Sequence, residues 1–118
     1  MLEWRSAMNL LIVDDEYLVV EEVVTVTDWE LLGITEIYSA TNAVSAVRIL
    51  NEKKIDIMIC DIEMPQTDGL ELSKKAKENF PDLEIVMLTS HAEFNYVRNA
   101  LRYGCYDYLL KPVMEDDI

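Results

Sequence analysis

Runs of apolar residues divide the chain at regular intervals, and four of them end abruptly on a polar or charged side chain. Asn9-Leu10-Leu11-Ile12-Val13 gives way to Asp14-Asp15-Glu16, and Ile55 to Cys60 gives way to Asp61. Glu84-Ile85-Val86-Met87-Leu88 runs into Thr89-Ser90-His91, and Cys105 to Leu110 into Lys111-Pro112. An unbroken apolar run of this length reads as a strand covered on both faces, as in the centre of a parallel sheet. A further stretch, Glu36-Ile37-Tyr38-Ser39-Ala40, alternates and reads as an edge strand.

Between these strands the pattern changes to helical spacing. Ala43, Ala46, Val47 and Leu50 recur on one face behind Asn42, a good N-cap. Leu72, Ala76 and Phe80 mark a helix over Leu70 to Asn79, with Lys74, Lys75 and Lys77 expected outward. Phe94, Val97, Ala100 and Leu101 mark another, closed by Gly104 as its C-cap. Tyr17 to Thr27 is valine-rich and a poor helix former. A helix is expected there all the same, because parallel strands need a crossover and Asp14 or Asp15 can cap it. Asp28 to Gly33 is a connector with Trp29 and Leu31 packed against neighbouring helices. The resulting β-α-β-α-β-α-β-α-β order with short loops predicts a doubly wound parallel α/β sheet in one domain.

Composition narrows the function classes. The chain of 118 residues suffices for one core and not for two. No apolar stretch approaches the roughly 20 residues needed to span a bilayer. Met1 to Ser6 lacks the apolar core of a secretory signal. The lead up to residue 8 is expected to be disordered or an artificial extension, with Met8 an alternative start. Net charge is −13, from 23 acidic and 10 basic residues, which argues against nucleic-acid binding by this segment. Cys60 and Cys105 show neither metal-ligand nor redox spacing and fit a reducing compartment such as the cytoplasm.

In an open α/β sheet, ligands bind beyond the carboxyl ends of the strands. Asp14, Asp15, Asp61, Thr89 and Lys111 all fall at such ends and therefore share one edge. Clustered carboxylates repel, and a hard divalent cation such as Mg²⁺ relieves the repulsion. A lysine and a threonine hydroxyl on the same edge suit an anion. Together these are the parts of a phosphoryl-transfer site, with Asp61 as the working carboxylate. Any one acidic strand end alone is more often a helix cap or a solvated turn; the set carries the inference.

The segments Leu11-Ile12-Val13-Asp14-Asp15-Glu16, Asp61-Ile62-Glu63-Met64-Pro65 with Asp68-Gly69, Leu88-Thr89-Ser90 and Tyr108-Leu109-Leu110-Lys111-Pro112 resemble the receiver domain of bacterial two-component response regulators. The resemblance covers Asn9 to Pro112. It implies a flavodoxin-like (βα)5 fold with a five-stranded parallel sheet of order 2-1-3-4-5, and one domain over residues 9–118 with its last helix largely missing. It implies that Asp61 accepts a phosphoryl group from a sensor histidine kinase. Asp14, Asp15, Asp61 and the backbone carbonyl of Glu63 would hold Mg²⁺, and Lys111 and Thr89 would contact the phosphoryl oxygens. Thr89 and Tyr108 would carry the switch, while Glu63 and His91 would tune phosphate lifetime.

Tyr106 to Val113, Glu93-Phe94 and Asp28-Trp29 look like receivers joined to AraC-type helix-turn-helix output domains. The family dimerises through its fourth helix, fifth strand and fifth helix, so a homodimer through the fourth helix and fifth strand is an expectation, as is transcriptional output. Two other classes compete: a haloacid-dehalogenase-like phosphatase, which needs a general acid where Glu63 stands, and a binding module that switches without phosphate.

Overall fold

A computed structural model describes residues 8–25, 28–61, 69–89 and 107–110. The described elements run β1 (Met8–Val13), α1 (Tyr17–Thr25), a 3-10 turn (Trp29–Leu32), β2 (Ile34–Ala40), α2 (Ala43–Glu52), β3 (Ile57–Asp61), α3 (Gly69–Asn79), β4 (Glu84–Thr89) and β5 (Asp107–Leu110). The expected helix over Phe94 to Leu101, its Gly104 cap, and Cys105 and Tyr106 lie outside the described residues.

The strands form one sheet in the order β2-β1-β3-β4-β5, all neighbours parallel. The unbroken apolar runs are explained by burial on both faces. Leu11, Val13, Met58, Cys60, Ile85 and Met87 pack beneath α2 and α3 with Ala46, Leu50, Leu72 and Ala76. The alternate residues Leu10, Ile12, Ile59 and Leu88 pack on the opposite face with Val20, Val23 and Trp29. The period-two alternation of the strands thus supplies two cores from one sheet.

α1 forms despite its four valines, because Val20 and Val23 enter the second core and packing overrides propensity. The indole N–H of Trp29 donates to the carbonyls of Val23 and Val24, both at 3.1 Å, and ties the turn to the end of α1. Gly33 closes that turn at φ 88°, a left-handed conformation that suits glycine. Its N–H donates to the Glu30 carbonyl, and a Cβ there would meet Met8 Cε at 3.4 Å. Asn42 caps α2 as expected, accepting from the Ser45 N–H at 2.8 Å.

Four local expectations are corrected. Leu31 is 76% exposed rather than packed, and Trp29 is the buried side chain of the turn. Val47 is exposed, and Ile49 packs against the core in its place. Lys77 does not point away: its ammonium donates to the Leu83 carbonyl at 2.7 Å and holds the turn between α3 and β4. Neither Asp14 nor Asp15 caps α1 from within. The Val19 and Val20 N–H groups take the Glu16 carbonyl, while Asp14 receives the N–H of Glu16, one residue ahead of the helix. Strand limits also shift: β1 begins at Met8, β2 at Ile34, β3 runs from Ile57 through Asp61, and β4 reaches Thr89.

The amino edge of the sheet fixes register for the opposite edge. The Asn9 N–H donates to Asp56 Oδ2 at 2.8 Å, and the Asn9 amide to the Lys54 carbonyl at 2.7 Å. Asp56 N–H returns to the Asn9 carbonyl, and Glu84 N–H donates to that of Asp56. With β1, β3 and β4 locked together at this end, their carboxyl ends are held in step.

Candidate phosphoryl-transfer site

Strand register brings the strand-end residues to one edge. Val13 pairs with Cys60, so Asp14 and Asp61 are the next residues on adjacent strands, which lie about 4.8 Å apart. Asp61 pairs with Leu88, placing Thr89 one step further on β4. Thr89 in turn pairs with Leu110, and Tyr108 with Met87. Asp14, Asp61, Thr89 and the end of β5 therefore form a row along the carboxyl edge. Lys111, Glu63 and His91 lie outside the described residues, as does the loop over 62–68.

Both central carboxylates are buried, Asp14 at 0% exposure and Asp61 at 3%. Buried carboxylates are costly unless paired, hydrogen-bonded or bound to a cation. Asp14 Oδ1 accepts the Glu16 N–H at 2.9 Å, and the Asp14 N–H extends the ladder to the Ala40 carbonyl at 3.1 Å. These two bonds fix the aspartate at the mouth of the sheet. Cys60 is buried, and its thiol donates to the Asp61 carbonyl at 3.4 Å, consistent with a small core residue behind the site.

One carboxylate oxygen from each of Asp14, Asp15 and Glu16 lies within 4.8 Å of the other two, with Asp14 buried and the other two residues exposed. An all-oxygen, all-anionic donor set suits a hard divalent cation. Glu16 was not among the ligands expected from sequence. It belongs to the acidic run Asp14-Asp15-Glu16 that ends the first apolar stretch.

Beside this group the Tyr17 phenol titrates above its usual value of 10.0, first because it hydrogen-bonds to Glu21, then because of that carboxylate's charge, then through partial desolvation. Among the described residues no helix is long and apolar enough to cross a membrane.

Comparison with known proteins converges on one family. The family model described as the response regulator receiver domain matches residues 10–118. A protein of Bacillus subtilis (strain 168), described as the uncharacterized transcriptional regulatory protein YesN, is 37% identical over 110 residues, covering 93% of this chain. The chain spans 30% of that relative's length. Among solved structures, the REC domain of AraT, a response regulator from Geobacillus stearothermophilus, superposes with a TM-score of 0.86 at 31% identity. That alignment covers 93% of this chain and 85% of the other.

A CheY-like receiver domain from Methanospirillum hungatei JF-1 gives a TM-score of 0.83 at 27% identity, covering 95% and 87% of the two chains. These matches favour neither the phosphatase nor the phosphate-independent module. The sheet order and the doubly wound topology are those of this group, and the chain belongs to the response regulator receiver domain family, the signalling module of two-component systems.

Proposed function

We propose that Asp61 is the phosphoacceptor of this receiver, taking a phosphoryl group from the phosphohistidine of a sensor histidine kinase. A carboxylate oxygen of Asp61 attacks phosphorus, the P–N bond breaks, and the imidazole leaves with its electron pair. The product is an acyl phosphate. The observation that most supports this reading is the burial of Asp61 and Asp14 on adjacent strand ends, beside an exposed acidic pair.

Asp14, Asp15, Asp61 and the backbone carbonyl of Glu63 are the groups that would hold Mg²⁺, and Glu16 adds a further carboxylate at its rim. The ion supplies neutralisation of the charge that gathers on the equatorial oxygens. Lys111 contributes the fixed positive charge and Thr89 a hydroxyl. Phosphorylation replaces a monoanion by a dianion, so the change acts by drawing these groups inward. Thr89 and Tyr108 then report the change to the outer face as a shift in population between two states. Glu63 and His91 flank the phosphoryl group and set how long it stays.

The output is transcriptional, through a DNA-binding portion of AraC type beyond residues 1–118. This part of the reading rests on relatives described as transcriptional regulators, of which the chain spans about half the length or less. The net charge of −13 leaves DNA contact to that other portion. A homodimer through the fourth helix and β5 would couple the two, in the cytoplasm. The receiver itself comprises residues 9–118, with Met8 joining it as the first residue of β1.

Incubation with acetyl phosphate and Mg²⁺, followed by intact-protein mass measurement, tests the proposal. One phosphoryl group is expected on the wild type and none on Asp61→Asn. Equal labelling of the variant overturns the assignment.

A further inference from the structure

β2 lies at the end of the sheet order, so half of its backbone amides and carbonyls face away from β1. At seven residues it is longer than the usual strand of about five to six, which is a long edge to leave open. Edge strands are commonly guarded by lysine, proline or a bulge. β2 carries one irregularity of register against β1, between Ile34 and Glu36; from Glu36 to Ala40 it pairs regularly, and its one charged residue is an acid, Glu36, which is exposed.

Beside this edge runs a groove of about 550 Å³ between α1 and β2, lined among others by Leu18, Glu21, Glu22, Val24, Ile37 and Ser39. Its floor is apolar where Val24 and Ile37 are half-buried. Its rim carries Leu18, 77% exposed, and the acids of α1. A volume of this size accommodates a few side chains of an extended segment.

We propose that the β2 edge and this groove form a docking site for an extended, basic segment of a partner protein, which adds to the sheet as a sixth strand. Backbone pairing along Ile34 to Ala40 supplies affinity, and alternate side chains supply selectivity. Apolar side chains of the segment enter between Leu18, Val24 and Ile37 on the α1 side of the sheet, while the lysine or arginine side chains alternating with them meet Glu36 on the other side, and basic residues flanking the segment reach Glu21 at the rim of the groove. Charge complementarity selects this occupant. A second copy of the chain carries the same acids and the same net charge of −13, so self-pairing along this edge is opposed. The site lies on the opposite flank of the sheet from β5.

The test uses the chain with a fluorescent peptide, acetyl-Lys-Val-Lys-Ile-Lys-Val-Lys-amide, read by anisotropy at moderate salt. Any polycation is attracted to so acidic a protein, so three comparisons separate docking from that background. Glu21→Lys is expected to weaken binding by about tenfold, and Glu71→Lys on the far face by under about twofold. The same peptide N-methylated at alternate residues, unable to pair with an edge, is expected to lose about tenfold or more. Amide chemical shifts are expected to move within Ile34 to Ala40 when the unmodified peptide binds. Equal losses from Glu21→Lys and Glu71→Lys, undiminished binding of the methylated peptide, or shifts confined to other strands each overturn the proposal. Sedimentation showing that the chain dimerises through β2 without peptide also overturns it.

Discussion

Asp14→Asn separates the electrostatic cost of the acidic edge from its role in holding an ion. Asparagine keeps the oxygen that accepts the Glu16 N–H, so the local turn is preserved. It removes one charge from a group in which one oxygen of each carboxylate lies within 4.8 Å of the other two. At that separation two unit charges repel by about 0.9 kcal/mol in water and about 3.5 kcal/mol at an effective dielectric of 20. Asp15 and Glu16 are exposed, so the water figure is the appropriate one. Two such pairs, Asp14 with Asp15 and Asp14 with Glu16, give about 2 kcal/mol.

In chelator at low salt the variant is therefore expected to be more stable by about 2 kcal/mol, a rise in Tm of roughly 8 °C for a chain of this size. Adding Mg²⁺ to ten times its dissociation constant stabilises the wild type by about 1.4 kcal/mol and the variant much less, so the gap narrows. High salt shrinks the chelator difference, because the charges are screened. Thermal unfolding followed by circular dichroism, with and without Mg²⁺, reads all three effects. The reasoning is refuted if the variant melts lower than the wild type in chelator, or if Mg²⁺ raises both melting points equally.

Three further outcomes concern the frame and its margins. Trp29→Phe keeps the ring in the second core but removes the N–H shared by the Val23 and Val24 carbonyls; urea unfolding should show a loss of about 1–2 kcal/mol. Asn42→Ala removes the acceptor of the Ser45 N–H and should cost about 1 kcal/mol by the same assay. Glu21→Gln should bring the Tyr17 phenol back toward 10.0, since the hydrogen bond to Glu21 is the main cause of its elevation. The Tyr17–Glu21 pairing holds while the phenol is protonated and is lost as pH rises through its elevated pKa, so the tyrosinate absorbance of wild type minus Tyr17→Phe should move to lower pH in the Glu21→Gln background.

The sheet was legible because its strands are buried on both faces and so read as unbroken apolar runs. β2 was equally plain as an edge, since Ile37 and Tyr38 face opposite cores and its polar residues face water. Strand ends were harder to place, because Asp61 and Thr89 are polar yet belong to the ladder. Helical spacing identified the buried faces of α2 and α3 but not their margins. Val47 and Ile49 both lie near the boundary of the α2 stripe, and only the tilt of the helix decides which is covered. Lys77 escaped because a long flexible stem can turn back to a carbonyl six residues on, which periodicity does not encode.

At the site, Asp14, Asp15 and Asp61 followed from the rule that strand ends share an edge. Glu16 escaped, because that rule reaches the residues that end a strand, and Glu16 lies beyond them, directly before α1. The roles assigned to Lys111, Glu63, His91 and Tyr108 rest on family resemblance rather than on described geometry.

Borohydride reduction of the phosphorylated chain offers the most direct check on the acceptor. Reduction converts an aspartyl acyl phosphate to homoserine, which peptide mass mapping locates to a single residue. After acetyl phosphate and Mg²⁺, homoserine is expected at position 61 and nowhere else, and it should be absent when Mg²⁺ is chelated. Homoserine at position 14 or 15, or none at position 61 in a chain that has taken up phosphate, would contradict the assignment of Asp61.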